Sequence, residues 1–450
     1  MKRLIETIKN IYRIEDLRKR IIYTLGVILI YRLGSYIVLP GIDANMLTDF
    51  QQNSQEGLLG LLDMFSGGAF SQASIFALGI MPYISASIVV QLLGMAIPYF
   101  QRLQKEGESG RKKINQIIRW LTVIVTGLQA PAYITNIVSQ MPTQAFYPFV
   151  PDGTISSMFF ITAGISLVMG TMFVMWLGEK ITDKGIGNGI SLIIMIGIIA
   201  RLPFALFGEF ASRMEEQGGG LVVFILELAI LVGIILVCIL LVQGTRKIPV
   251  QYAKRIVGNK QYGGVRQYLP LKVNAAGVMP IIFAQAIMFL PLTLLSFSNS
   301  ESMSGIAAAF ADFNGFTYNI TFAIMIILFT YFYTAITINP NQIADDMKKN
   351  GGFVPGVKPG KRTAEFIDNV MSRITLPGSM FLAFVAIMPA IVRLFGVNTQ
   401  FAQFYGGTSL LILVGVVLDT LQQIESHLLM RHYDGLTKSG RIKGRSSTGF

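Results

Sequence analysis

Cysteine, histidine and charged residues are all scarce in this 450-residue sequence. The one cysteine, Cys238, excludes a disulfide framework and a cysteine-based metal cluster. The two histidines, His427 and His432, are better explained as polar groups at a membrane interface than as zinc ligands. Charged residues make up 14% of the chain, whereas a soluble protein carries about a quarter. The composition therefore disfavours a soluble fold.

Motifs for catalysis are also missing. Residues 356–363 superficially suggest a phosphate-binding loop, but Pro355 stands where that motif needs glycine and Arg362 where it needs serine or threonine. Residues 185–189 have the glycine spacing of a dinucleotide fingerprint without a preceding strand. The apolar segments hold neither paired aspartates nor a zinc motif, which disfavours an intramembrane protease. We expect a non-enzyme without a cofactor, driven by a partner or a gradient.

Apolar residues, in contrast, make up 52% of the chain and form long continuous runs. A run of about twenty residues crosses roughly 30 Å of hydrocarbon as a helix. Long runs favour helices over a β-barrel, whose strands alternate in polarity. The sequence predicts an all-α membrane protein with ten spans, at residues 21–39, 74–97, 118–138, 155–177, 186–207, 221–242, 274–296, 317–338, 376–395 and 406–430.

Positive charge predicts the orientation of these spans. Alternate segments, beginning with the N-terminus, hold 33 of the 37 Lys and Arg residues, and the intervening segments hold 3. Because cytosolic loops are enriched in positive charge, both termini are expected in the cytosol. Residues 1–20 are expected to form an amphipathic helix on the inner leaflet, and residues 431–450 a cytosolic tail.

A polar stretch near residues 215–220 divides the ten spans into five and five. Since five is odd, the halves 21–215 and 216–430 would have opposite orientations, as in many channels and transporters. Two long basic cytosolic loops, 244–273 and 339–375, belong to the second half. A secondary transporter for a small solute remains an alternative, although the spans are poor in the charges that a midplane site would need.

Several segments resemble the SecY family of bacterial protein-translocation channels, and together they are highly specific. The matching segments are FSGGAFSQASIFALGIMPYISASIVVQLL (65–93), GEKITDKGIGNGISLII (178–194), YAKR (252–255), LPLKVNAAGVMPIIFA (269–284), FVPGVKPGKRTAEFIDNVMSRIT (353–375) and YGGTSLLI (405–412). The resemblance covers essentially the full chain.

The resemblance implies a passive channel in the bacterial cytoplasmic membrane, with a central hourglass pore between the two inverted halves. Such a channel exports unfolded secretory proteins and releases apolar segments sideways into lipid. The implied partners are the small membrane subunits SecE and SecG, the motor ATPase SecA, the ribosome, a YidC-type insertase, and secretory preproteins with their signal sequences.

In the family a ring of aliphatic side chains closes the waist of the pore. Bulky apolar groups there resist water and ions, and they contact a moving chain without hydrogen-bonding it. Any isoleucine in a span can instead face lipid or pack against other helices. By motif position the ring would consist of Ile80, Ile84, Ile190, Ile194, Ile282 and Ile412.

Residues 57–68 form an apolar stretch between glycines that is too short to span a membrane. The resemblance implies that it is the plug, lying outside the ring and displaced by a substrate. An interfacial helix without a gating role is the alternative. The plug side chains would be Leu58, Leu59, Leu61, Leu62, Met64 and Phe65.

Three glutamines, Gln91, Gln129 and Gln285, fall in spans that border the lateral gate in the family. We expect them to hydrogen-bond across the closed gate, or else to join helices permanently at about 1 kcal/mol each. Other polar groups in or near spans, Arg32 and Glu227 among them, are expected to reach toward headgroups and are assigned no function.

Basic residues of the two long loops are implied docking sites for the ribosome and the motor. Positive charge suits both ribosomal RNA phosphates and acidic protein surfaces, although it also serves to keep loops inside. At Lys358 this chain departs from the family, which usually has arginine there. The docking residues would be Lys254, Arg255, Lys358, Lys361 and Arg362.

Overall fold

The computed structural model describes residues 14–47, 50–51, 60, 63–147, 156–215, 220–252, 255–257, 260–262, 266–296 and 315–439. Six helices precede residue 216 within these ranges: α1 (Glu15–Gly34), α2 (Met81–Ala96), α3 (Pro98–Lys105), α4 (Glu108–Gln140), α5 (Ser157–Lys184) and α6 (Gly189–Met214). Seven follow it: α7 (Gly220–Gln243), α8 (Met279–Ser296), α9 (Phe316–Thr337), α10 (Pro340–Lys349), α11 (Lys361–Leu394), α12 (Thr399–Ala402) and α13 (Gly407–Ser439).

Each predicted apolar run contains a helix, and the all-α membrane class is confirmed. Seven helices of the described chain are long and apolar enough to cross a membrane. The helices α2 and α3, bent by 102° at Ile97, would make an eighth if they form one broken span. The count of ten spans, the inverted relation of the halves and the cytosolic termini stay predictions.

Helix α4 begins at Glu108 and not at residue 118, and two further predicted spans also begin elsewhere in the structure. The second was expected from residue 74, but α2 begins at Met81 because turns occupy residues 75–80. Ala73 and Gly79 have φ of 46° and 52°, a left-handed conformation that interrupts a helix. The ninth was expected from residue 376, but α11 begins at Lys361 and runs unbroken through that position. Much of the second basic loop is therefore helical.

The two basic loops also share a small sheet, which the sequence did not predict. In this three-stranded sheet, β1 (Thr245–Tyr252) pairs antiparallel with β4 (Arg266–Lys272) and with β5 (Gly352–Phe353). A separate two-stranded sheet within the first loop pairs β2 (Arg255–Val257) with β3 (Lys260–Tyr262). Apolar side chains from the three-stranded sheet, α10 and α11 form its core: Ile248, Val250, Leu271, Met347, Val354, Ile367 and Met371. This pairing places both loops at the same end of the molecule.

Three apolar clusters organise the helices. One lies within the first half and includes Tyr133 and Leu167, and another lies within the second half and includes Ile326 and Leu382. The third, here called the central cluster, draws buried residues from both halves. Helix α6 connects the two halves, since it packs against α5 of the first half and against α7, α12 and α13 of the second half.

The predicted terminal segments are only partly described. Residues 1–13 of the expected interfacial helix lie outside the described residues, and α1 begins within it at Glu15. At the other end, α13 continues from the tenth predicted span to Ser439, while residues 440–450 of the expected tail lie outside the described part.

Candidate functional site

Local backbone contacts place the predicted ring isoleucines one helical turn apart. Asn188 begins α6: its side-chain oxygen accepts the backbone N–H groups of Ile190 and Ser191 at 3.2 and 3.4 Å. Ile80 lies at the N-cap of α2, and its carbonyl accepts the N–H of Ile84 at 3.0 Å. Residues four apart share a helix face, so each pair presents two isoleucines to the same side.

Five of the six predicted isoleucines meet in the central cluster. Ile80, Ile194 and Ile412 are buried members of it, and Ile84 and Ile190 are partly buried side chains packed against it. They come from α2 and α6 of the first half and α13 of the second. Ile282 of α8 is partly buried and is not among the residues of this cluster. The role of all six as a pore ring stays a prediction.

The predicted plug is described in part. Leu58, Leu59, Leu61 and Leu62 lie outside the described residues. Met64 is a buried member of the central cluster, and Phe65 packs against it. The described part of the predicted plug therefore contacts the same apolar cluster as the isoleucines.

Just beyond these apolar contacts, a buried carboxylate ties the segment to α6. Asp63 is fully buried and forms an ion pair with Arg201, whose side chain is 20% exposed. Asp63 also accepts the backbone N–H of Ser71 at 2.8 Å, and Arg201 donates to the Ser71 hydroxyl at 2.9 Å. We call Asp63, Ser71 and Arg201 the plug anchor.

Two further helices bind backbone carbonyls of the same segment. From α1, Tyr31 donates to the carbonyl of Ser66 at 3.1 Å and Arg32 to that of Gly67 at 2.8 Å. From α4, Tyr133 donates to the carbonyl of Phe70 at 2.8 Å. Arg32, which was expected to reach toward headgroups, instead points at the plug segment because a carbonyl there accepts its hydrogen bond.

Paired glycines let the segment lie directly on α6. A Cβ added at Gly197 would come within 3.2 Å of the Gly67 Cα, and one added at Gly67 within 2.7 Å of the Gly197 Cα. Gly67 also has a φ of 67°, which favours glycine. Any larger residue at either position would separate the segment from the helix.

A cavity of about 400 Å³ opens beside the plug anchor. Both arginines, Arg32 and Arg201, line it, together with Ser71, Gln72 and Gln403. Its lining is mixed, but these polar groups and its volume allow it to hold water beside the arginines. The arginines therefore lie between the plug segment and a space that can hydrate them.

The predicted gate glutamines do not meet. Gln91 donates to Ser87 of its own helix at 3.3 Å, Gln129 is exposed on α4, and Gln285 is buried on α8, beside Tyr318 of α9. All three lie in the described part of the chain, and no hydrogen bond joins any two of them. The three amides therefore do not bond to one another, and their role at a lateral gate stays a prediction.

A family model described as SecY matches residues 74–421, well over half of the chain. The chain belongs to the SecY family. The protein translocase subunit SecY of Streptomyces scabiei is 44% identical over 440 residues, which cover 95% of this chain and 98% of that relative. The SecY subunit of Chlamydia trachomatis is 40% identical over 456 residues, covering 98% of this chain and 99% of the relative.

Solved structures share the fold. One described as a protein-conducting channel has a TM-score of 0.57 at 16% identity and covers 94% of this chain and 95% of its own. Sec61 in a canine ribosome-channel complex from the endoplasmic reticulum has a TM-score of 0.52 at 16% identity, with the same coverage. With these matches the chain is a multi-pass helical membrane protein of SecY architecture.

Within this SecY fold, the described docking residues lie near the shared sheet but not on it. Lys358 is exposed in the turn between β5 and α11, where its carbonyl accepts the Thr363 hydroxyl at 2.9 Å. Lys361 and Arg362 are exposed in the first turn of α11. Arg255 begins β2, and Lys254 lies outside the described residues. The pairing of Gln251 with Phe353 holds the two loops together.

Sequence analysis assigned no role to a second group of buried charges. Arg213 of α6 donates to Glu209 at 2.8 Å and to Glu227 of α7 at 2.6 Å, and also to the carbonyl of Gly396 at 2.9 Å. Glu209 accepts the N–H of Asn398 at 2.8 Å. Glu227, expected to reach toward headgroups, is buried because Arg213 pairs with it. The sequence does carry a signal for this group: Arg213, Glu209 and Glu227 are residues of opposite charge within or beside apolar runs, where a charge is costly unless it is paired.

Proposed function

We propose that this chain is the central, non-catalytic channel subunit of a protein translocase in a bacterial cytoplasmic membrane, with both termini in the cytosol. One observation carries the proposal: isoleucines from both halves meet in one apolar cluster, and the plug segment packs against that cluster. A hydrophobic constriction excludes ions and water while allowing an unfolded chain to pass when it widens. The SecY relatives are translocase subunits by name.

The partners follow from the same proposal. The exposed basic residues Lys358, Lys361 and Arg362 would bind ribosomal RNA or the acidic surface of the SecA motor. SecE, SecG and a YidC-type insertase would contact the lipid-facing helices. Solved relatives include Sec61 and Ssh1 in complexes with ribosomes. The secondary-transporter alternative is not favoured, because the central cluster is apolar and offers no solute-binding charges among its described members.

Polar substitutions in the central cluster test the channel. Ile84→Asn, Ile194→Asn and Ile412→Asn should each raise the ion conductance of resting channels in planar bilayers, because an amide lets water enter the constriction. They should also relax the requirement for a strong signal sequence. Ile124 of α4 is 58% exposed and is not among the residues of the central cluster, so Ile124→Asn is a matched control that should leave conductance unchanged. Native conductance in all three cluster variants would reject the ring.

A further inference from the structure

The plug anchor contains an ion pair at a position where apolar side chains would stabilise the closed arrangement more. Asp63 is fully buried, and the Arg201 side chain is partly buried at 20% exposed. Removing two charges from water is costly, and well-packed apolar residues are often more stable than a buried pair. A permanently seated segment would therefore gain little from this pair. A segment that must leave its seat would gain from it, because both charges regain water when they separate.

The surroundings of Arg201 make that separation feasible. Arg201 lines the cavity, while Asp63 lies on the segment itself and not on a spanning helix. The other polar contacts of the segment use backbone carbonyls of Ser66, Gly67 and Phe70. Each of those carbonyls can exchange its protein donor for water at modest cost. Among the described contacts of the segment, the ion pair is thus the one bond between full charges.

We propose that the Asp63–Arg201 ion pair is the latch of the channel: it holds the plug segment closed, and its separation opens the path. The inference rests on the proposed function. Ser71 orients the latch, since its N–H binds the carboxylate and its hydroxyl accepts from the guanidinium. Arg32 is the remaining charged side chain described at this site, and it binds the Gly67 carbonyl and not Asp63.

The resting conductance of the purified full-length chain, with any membrane subunits that copurify, tests the latch in planar bilayers. Asp63→Asn and Arg201→Gln should each raise conductance at least about tenfold, because removing one partner of a buried pair strongly disfavours the paired arrangement. The double variant should conduct no more than the leakier single variant, since either change already removes the pair. Conductance at the native level, or two effects that multiply in the double variant, would overturn the latch.

Arg119→Gln is the matched control. Arg119 joins Glu179 across α4 and α5 in a bidentate pair at 2.6 and 3.0 Å, away from the plug segment, so its loss should leave conductance unchanged. The double variant holds no unpaired charge and should fold even where Arg201→Gln does not. A folded double variant that stays sealed overturns the latch, and a leaky one supports it.

Deleting residues 58–66 separates failure of the latch from failure of the channel. If the deletion leaks while the charge variants do not, the channel stands and the latch is rejected. If the deletion variant also stays sealed, the segment does not close the path and the latch is rejected, and the conductance of Ile194→Asn then decides whether the proposed function stands.

Discussion

Two buried arginines on α6, Arg201 and Arg213, bind carboxylates in different structural settings. Arg213 joins Glu209 of its own helix to Glu227 of α7, so it ties together helices that are continuous and fixed. Arg201 instead binds Asp63, which lies in a short helical stretch, residues 63–65, that is followed by turns and is not part of a spanning helix. The same chemistry therefore makes a permanent contact in the last turn of α6 and a releasable contact at the middle of that helix. What differs is the backbone that carries the carboxylate.

Loss of the permanent contact made by Arg213 should lower the stability of the protein. Arg213→Gln would leave Glu209 and Glu227 buried without a cation, at a cost of about 3–5 kcal/mol, and should lower the melting temperature of the detergent-solubilised protein. It should not raise resting conductance. Arg119→Gln removes a more exposed pair and should cost no more than about 1 kcal/mol. A leak from Arg213→Gln as large as that from Asp63→Asn would erase the distinction between the two clusters.

The contact between the plug segment and α6 should be weakened by a larger side chain at Gly197 as well as by loss of a charge. Gly197→Val places two methyl groups against the Gly67 backbone, so the plug segment should be displaced with the latch residues intact. We expect a leaky channel that accepts weak signal sequences, measured as resting conductance and as export of a preprotein with a defective signal. Gly208 lies on the same helix with open space beside it, and Gly208→Val should remain sealed. Equal behaviour of the two variants would mean that the glycine contact has no role in closure.

A single neutral hydrogen bond should matter least. Tyr133→Phe removes the donor to the Phe70 carbonyl and should destabilise the closed segment by about 1 kcal/mol. The leak should therefore be detectable but smaller than that of Asp63→Asn. Tyr99 is exposed on α3, and Tyr99→Phe should have no effect. If Tyr133→Phe leaked more than Asp63→Asn, the main closing contact would be this hydrogen bond and not the ion pair.

The sequence was sufficient to predict the class of fold, but not where each helix begins or how the loops pair. Long apolar runs determine helices wherever a bilayer must be crossed, and each predicted run contains one. Left-handed residues such as Ala73 are not readable from composition, so the start of α2 was misplaced. The sheet between the basic loops joins Gln251 to Phe353, residues too distant in the chain for local patterns to connect.

Some features of the candidate site could likewise be predicted from the sequence, and others could not. The ring and plug positions came from resemblance to the family, and five isoleucines do converge. The latch was not predicted, because a lone Asp63 and a lone Arg201 look like unrelated polar groups until the fold pairs them. The gate glutamines failed to meet because shared polarity does not determine which helix faces adjoin.

The path of a translocating chain is the most direct test of the whole account. A photoreactive amino acid placed at Ile194, within the central cluster, and at Ile124, exposed on α4 and outside that cluster, would be irradiated with a preprotein stalled midway through export. Ile194 should cross-link to the preprotein, and Ile124 should react with lipid alone. Cross-linking at Ile124 without any at Ile194 would contradict a channel through the cluster between the two halves.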